Sequence, residues 1–318
     1  MHPISISRSI STFFVAAVVS SVQAFQHTQP DLLSFGGGWT QNDDVRAIAA
    51  GSNHSVALRA DGTVVAWGDN SSGQASVPTG LAGVVAIAAA ANHTMALLSD
   101  GHVVGWGKDR YGTFAAPETL SGVKAIATGT LHGLALKTDG TVVAWGNGDP
   151  AVTAVPEGLS GVVAIAAGAS HSVALRFDGT VVAWGNNSNG QLAVPAGLKG
   201  VKAIATGLNY SMAFKDDGSM VVWPGYPGGA GDSALMKTGV GAAGSGSFAV
   251  VLKADGTVSV PGSNPVLQPQ PPSGLRRVVA VAAGEFHALA LLDEGTVVGW
   301  GDRYHGQTTL PLDFEGIV

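Results

Sequence analysis

Five histidines stand at one recurring position of the 318-residue chain: His54, His93, His132, His171 and His287, with Tyr210 and Phe248 filling the two remaining places. Imidazoles repeated in this way suggest a metal ring or a proton relay. Zinc needs three or four ligands converging on one point, with carboxylates or carbonyls orienting the rings from behind. Histidines carried by separate repeat units around a ring are too far apart for that, and no carboxylate recurs beside them. The expectation is that each histidine satisfies a local hydrogen bond at a strand start, in the same way in every unit. No Ser/His/Asp arrangement and no His-Glu-x-x-His pair is present, and with no cysteine there is no thiolate nucleophile, thiolate metal site or disulfide. Gly239 to Gly244 spells Gly-Val-Gly-Ala-Ala-Gly, the letters of a dinucleotide fingerprint. No helical pattern follows, so the strand–turn–helix context that cradles a pyrophosphate is missing. The chain therefore reads as having no catalytic residues, no metal and no cofactor.

The elements that hold these histidines are set by a repeat. Val45, Val84, Val123, Val162, Val201 and Val240 open units 39 residues apart, and Val278 opens a seventh after 38. The units run 45–83, 84–122, 123–161, 162–200, 201–239, 240–277 and 278–318. Asp61-Gly62 and its counterparts at 100–101, 139–140, 178–179, 217–218 and 255–256, with Glu294-Gly295, mark a turn in each. Trp67, Trp106, Trp145, Trp184, Trp223 and Trp300 follow the turn glycine by five residues. Self-similarity at one period identifies a repeat architecture.

Within a unit, "SVALRADGTVVAW" has two β-rich alternating runs joined by Asp-Gly, the signature of a two-residue hairpin with both turn residues at positive φ. That geometry predicts Leu58 opposite Val65 and Val56 opposite Trp67. It gives each unit one bulky and one small face, which would stack bulky-to-small. A run of Val, Ile, Ala and Gly ("VRAIAAG") supplies a first strand slender enough to crowd round an axis. A Gly/Pro-punctuated outer segment ("GQASVP", "GQLAVP", "GQTTLP") completes the unit. The expected fold is all-β, a seven-bladed β-propeller, because seven units close a ring and neither end carries a polar capping repeat. Units five ("VVWPGYPGG") and six (Pro261 in the tryptophan place) depart from the pattern. Irregular outer strands are expected there.

The pattern Gly-x-x-His-(Ser/Thr)-x-Ala-Leu-x-x-Asp-Gly-x-Val-x-x-Trp-Gly-x-Asn-x-x-Gly-Gln resembles the regulator of chromosome condensation repeat, a seven-bladed propeller family, over residues 45–318. "WGDNSSGQASVP" and "WGDRYHGQTTLP" are also similar to the secreted propeller-type β-lactamase inhibitors. The second resemblance implies a non-enzymatic inhibitor that clamps its target with loops on one face. The matching positions here are Ser52, Asn53, Ala91, Asn92, Thr130, Leu131, Ala169, Ser170, Leu208, Asn209, Glu285 and Phe286, of which only Phe286 is aromatic. The first resemblance implies exchange-factor activity on a GTPase. The constant period, with no inserted wedge, the N-terminus and the acidic balance all argue against that.

Composition narrows the partner. Residues 1–24 carry a lone Arg8, an apolar run from Phe13 to Val19 and a small-residue Val22-Gln23-Ala24 exit, and read as a secretory signal peptide. The run is too short to span a bilayer. Residues 25–44 read as an N-terminal segment that helps close the ring. Removal of 1–24 leaves 15 basic against 22 acidic side chains, a net charge of −7, which disfavours nucleic acid or an anionic membrane as partner. A secreted or periplasmic monomer is expected.

The first-to-second strand loops and the segments leaving the third strand fall on one face of the disc, and the Asp-Gly hairpins on the other. The hairpin face is monotonous and the loop face changes from blade to blade, which is how a rigid scaffold carries a binding surface. Candidate partner-binding residues are Asn53 and Asp69 of blade one; Lys108, Arg110 and Tyr111 of blade two; Phe286, Arg303 and Tyr304 of blade seven; and Tyr226 of blade five. Aromatic and arginine clusters of this kind dominate protein interfaces. The expected function is that of a protein-binding propeller. The alternatives are a carbohydrate-binding or cell-envelope adaptor propeller, although no aromatic recurs on the loop face to make repeated sugar pockets.

Overall fold

The computed structural model describes residues 45–146, 150–224, 239, 241–244, 248–261 and 269–311. Residues 1–44, on which the signal-peptide and ring-closing expectations fall, Tyr226, and the outer segments of blades five and six lie wholly or largely outside the described residues. Seven three-stranded antiparallel sheets follow one another, each made of three consecutive strands. In blade one these are Val45–Ala50, His54–Arg59 and Val64–Gly68. The inner strand of blade one packs against the inner and middle strands of blade seven, Val278–Ala283 and His287–Leu292, so the ring is closed. This is the expected seven-bladed propeller.

The hairpin differs from the expected one. Arg59 N donates to Thr63 O at 2.9 Å and Gly62 N to Arg59 O at 3.0 Å, so the loop holds three residues, with only Gly62 at positive φ (84°). This is a type I turn closed by a glycine bulge. Asp61 Oδ1 accepts from Thr63 N at 2.8 Å and from Thr63 Oγ1 at 2.7 Å, the turn chemistry expected of these aspartates. The extra loop residue moves the register by one. Ser55 lies opposite Trp67, Val56 opposite Ala66, Ala57 opposite Val65 and Leu58 opposite Val64.

A one-residue slip exchanges cross-strand neighbours and faces. Among the described residues no blade therefore has one bulky and one small face. Each face mixes both, in columns. On one face the middle strand brings Val56 and Leu58 between Ala47 and Ala49 of the inner strand and Ala66 of the outer. This face meets the opposite face of blade two, where Ala96 lies beside Ile87 in a cluster that includes Trp106. Large side chains on one middle strand thus oppose an alanine on the next, which fills the seam at interior density.

Outside the third strand no described blade adds a fourth. The outer segment is a series of turns, with Leu81 N on Pro78 O at 3.1 Å, or in blade three a short helix, Pro150–Thr153. Each of the six repeat tryptophans reaches back with its indole N–H to a carbonyl of the preceding blade's outer segment: Trp106 to Gln74, Trp145 to Thr113, Trp184 to Val152, Trp223 to Gln191, Trp300 to Pro269 and Trp67 to Gln307, at 2.8–3.1 Å. The tryptophan is therefore a latch between blades. The sixth blade has buried Pro261 in that place.

Candidate functional site

The loop face is assembled by a pairing that recurs in four described blades. Asp69 N donates to Asn53 O, Lys108 N to Asn92 O, Asn186 N to Ser170 O and Asp302 N to Phe286 O, at 2.8–2.9 Å. The first loop and the third-strand exit of a blade are thereby fastened side by side, as the alternating strand directions require.

The exit loop is braced from inside. In blade one, Asp69 Oδ1 accepts from Ser71 N (2.9 Å), Asp69 Oδ2 accepts from Gln74 Nε2 (2.9 Å), and Gln74 Oε1 accepts from Ser72 N (2.8 Å). Blade seven repeats it with Asp302, Tyr304 N, Gln307 and His305 N, all at 2.9–3.0 Å. Gln74, Gln191 and Gln307 are fully buried, so the Gly-Gln signature is the internal strut of this loop. Partial burial of Asp69 opposes its ionisation. The Ser71 and Gln74 hydrogen bonds and nearby His305 outweigh that and hold its carboxyl below the usual range.

Beneath the loops lies the histidine ring. His54 Nε2 meets Thr94 Oγ1 (2.9 Å), His93 meets Thr128 (2.7 Å), His132 meets Ser172 (2.8 Å), His171 meets Ser211 (3.0 Å) and His287 meets Ser55 (3.0 Å). The partner is always on the next blade, not at the strand start of the same one, so the bond is a seam contact and not the local one expected. Tyr210 does the same job with its hydroxyl on Phe248 O at 2.9 Å. Burial pushes His54 and His132 down to about 3, and His93, His171 and His287 down to about 4. The rings are neutral struts at ordinary pH. No group of three or more potential metal ligands occurs among the described residues. Gly241–Gly244, within the fingerprint letters, is an inner strand.

Inner-strand ends from all seven blades line a depression of about 240 Å³ on the axis of the loop face. Its wall is small and neutral (Ala91, Gly129, Thr130, Ala169), with exposed Leu208 and a single ionisable side chain, Glu285. Of the positions suggested by the inhibitor resemblance, Ser52, Ala91, Thr130, Ala169, Leu208 and Glu285 line this mouth.

The candidate residues of blades seven, one and two fall on neighbouring loops of this face. Tyr304 is 85% exposed, with its ring edge-on to His305 at 4.9 Å between centroids. Arg303, Lys108 and Arg110 are exposed, and the Arg110 guanidinium lies 5.3 Å from the centre of the half-buried Tyr111 ring. Asn53 and Phe286 are half-buried and present backbone carbonyls to their own loops. Asp69 is a brace more than a free contact. Tyr226 lies outside the described residues. His305, which the sequence places on the same variable loop, is exposed beside Tyr304. Phe177, 76% exposed beside the blade-four hairpin turn, departs from the expected monotony of that face.

Five segments, 45–74, 84–113, 123–149, 162–191 and 278–307, match the regulator of chromosome condensation (RCC1) repeat. The two blades that depart in sequence are outside the match. Among solved structures, the chain is similar to the CRINKLY WD40 ectodomain of the Arabidopsis thaliana receptor kinase ACR4. That likeness has 19% identity and a TM-score of 0.67 over 81% of this chain and 95% of that one. It is also similar to the ectodomain of the Physcomitrella patens receptor kinase CR4, with 19% identity and a TM-score of 0.64 over 81% of this chain and 74% of that one. Human WBSCR16 matches with 18% identity and a TM-score of 0.50 over 93% and 89%. At these identities the likeness is one of fold.

Proposed function

Since this chain carries regulator of chromosome condensation repeats in a seven-bladed propeller, we infer that it is a non-enzymatic propeller that binds a protein through its loop face, as a secreted or periplasmic monomer. The observation that carries the reading is the Arg303–Tyr304–His305 and Arg110–Tyr111 pair of loops, exposed Tyr304 and half-buried Tyr111 beside exposed guanidinium groups on two loops flanking blade one of a rigid disc. Tyrosine rings, with two side-chain torsions, lose little entropy on docking, and tyrosine and arginine are the side chains that anchor interfaces. No helix among the described residues is long and apolar enough to cross a membrane. The leader-like residues 1–24 support the export part of the reading.

The narrower reading, an inhibitor of a β-lactamase-like hydrolase, rests on the "WGDNSSGQASVP" and "WGDRYHGQTTLP" segments. It is tested by titrating the purified protein into class A β-lactamases while following substrate hydrolysis. Inhibition that weakens at least tenfold with Tyr304→Ala or Tyr111→Ala establishes it. Absence of inhibition at micromolar protein removes it. The broader reading is then tested by cross-linking in the native exported fraction: a partner captured by the parent protein and lost with Tyr304→Ala supports it, and equal capture by both overturns it.

A further inference from the structure

The loop face is asymmetric in how its charges are used. Both carboxylate oxygens of Asp69 and of Asp302 accept hydrogen bonds from within their own loops. Asp109 Oδ1 accepts from Thr113 N at 2.6 Å and from Thr113 Oγ1 at 3.2 Å. The aspartates of these three loops each brace their own loop, Asp69 and Asp302 through both oxygens and the exposed Asp109 through one. Among the described residues, the side chains of Lys108, Arg110 and Arg303 make neither a hydrogen bond nor an ion pair, and all three are exposed. Near the hairpin face several basic side chains are paired: Lys137 with Asp139, Lys215 with Asp217, and Arg277 with Asp293 and Glu294, while Arg176 donates to Ser160 O at 3.0 Å. Among the described residues, Lys124, Lys199, Lys202 and Lys253 there make no side-chain bond, but they have no aromatic ring grouped with them as Tyr111 and Tyr304 are with the loop-face cations.

Formal charge does not make this sector positive, because the braced aspartates cancel the cations. Long-range attraction of a polyanion is therefore not what it offers. It offers short-range donors, two of them planar guanidiniums, flanking aromatic rings. A guanidinium matches a carboxylate through two parallel hydrogen bonds. Resting on the protein-binding reading, we propose that blades seven, one and two dock a protein segment that presents Asp or Glu side chains to Arg303, Arg110 and Lys108 and packs apolar atoms on Tyr304 and Tyr111. The contacts are made at close range, so they discriminate a shaped acidic segment from a generic anionic surface.

The test is selection of a displayed library of random 12-residue peptides on the purified full chain, with affinities of the enriched sequences then measured by titration. Enriched peptides carrying two or more acids, bound at least tenfold more weakly by Arg110→Glu/Arg303→Glu and within about twofold by the hairpin-face control Arg176→Glu, support the proposal; tenfold is the scale of one lost charge-assisted bond. Circular dichroism confirms that each variant is folded. Enriched peptides without acids that still lose binding with Tyr304→Ala overturn this proposal and leave the protein-binding reading standing. Binders insensitive to every loop-face substitution, or no binders at all, count against both. Equal or tighter binding to phosphatidylglycerol vesicles or duplex DNA, lost with the same reversals, replaces the acidic segment with a generic polyanion and overturns the proposal.

Discussion

A β-carbon on Gly51 would overlap the His54 ring, and the same holds at Gly129, Gly168 and Gly284 with His132, His171 and His287. In these four blades the glycine three residues before histidine is thus a packing relation, whereas blade two places Ala90 there and still bonds His93 to Thr128 at 2.7 Å. The glycine leaves the space that the imidazole fills on its way to the next blade. Gly51→Ala is expected to cost about 2–4 kcal/mol, the scale of overpacking in a core with a displaced hydrogen bond. Gly73 provides the contrast. It has φ 78° and open space around its α-carbon, so Gly73→Ala should cost only about 1–2 kcal/mol of left-handed backbone strain. Urea denaturation of the two variants orders these costs; equal values would mean that the imidazole moves aside freely.

At the scale of the element, the blade is a three-stranded sheet whose fastening lies outside itself. The Trp106 indole and the Thr94 hydroxyl converge on one carbonyl, Gln74 O, at 3.0 Å each. Gln74 in turn braces the loop above it. Trp106→Phe keeps most of the apolar volume and removes one donor, so an expected loss of about 1–2 kcal/mol isolates the latch. The same change at Trp67, which holds blade one to Gln307 of blade seven, should reduce the unfolding midpoint by at least as much, because it also loosens ring closure. A Trp67→Phe midpoint unchanged from the parent would show that the first-to-last seam does not depend on this bond.

The molecule as a whole responds to acid through its histidine ring. The five folded values, about 3 to 4, lie below the ordinary 6.5, because burial opposes protonation. Asp69, Asp109 and Asp302 partly offset this at His54, His93 and His287. Below pH 6.5 the unfolded chain takes up protons that the folded ring refuses. Stability is therefore complete above about 6.5 and falls as pH drops towards 4. Each histidine costs about 1.4 kcal/mol per pH unit across that window, so five cost about 7 kcal/mol per unit, against a typical margin of 5–15 kcal/mol. Cooperative unfolding with a midpoint between about pH 5.5 and 4.5 is expected in tryptophan fluorescence. Retention of the native signal at pH 3.5 would contradict neutral, buried imidazoles as the dominant titrating groups.

The repeat, the strands and the disc were legible in the sequence because they depend on relations within one unit. Alternating apolar residues, an Asp-Gly turn and a tryptophan five residues on recur often enough to identify themselves, and strand alternation alone assigns the loops to one face. The hairpin register was not legible, since Asp-Gly serves a two-residue turn and a three-residue bulged turn alike, and Thr63 bonding back to Asp61 selects the second. Nor were the partners of the conserved-looking positions within this chain's own repeats. His54 bonds 40 residues away, Trp106 32 residues away and Ser55 252 residues away. Those pairings exist only once the blades stand side by side. The same is true of the candidate surface. The letters Lys108, Arg110, Tyr111, Arg303 and Tyr304 could be read off the chain, but closure of the ring put their loops on either side of blade one. Internal hydrogen bonding then decided which charged side chains were engaged within their loops and which were left without a side-chain bond.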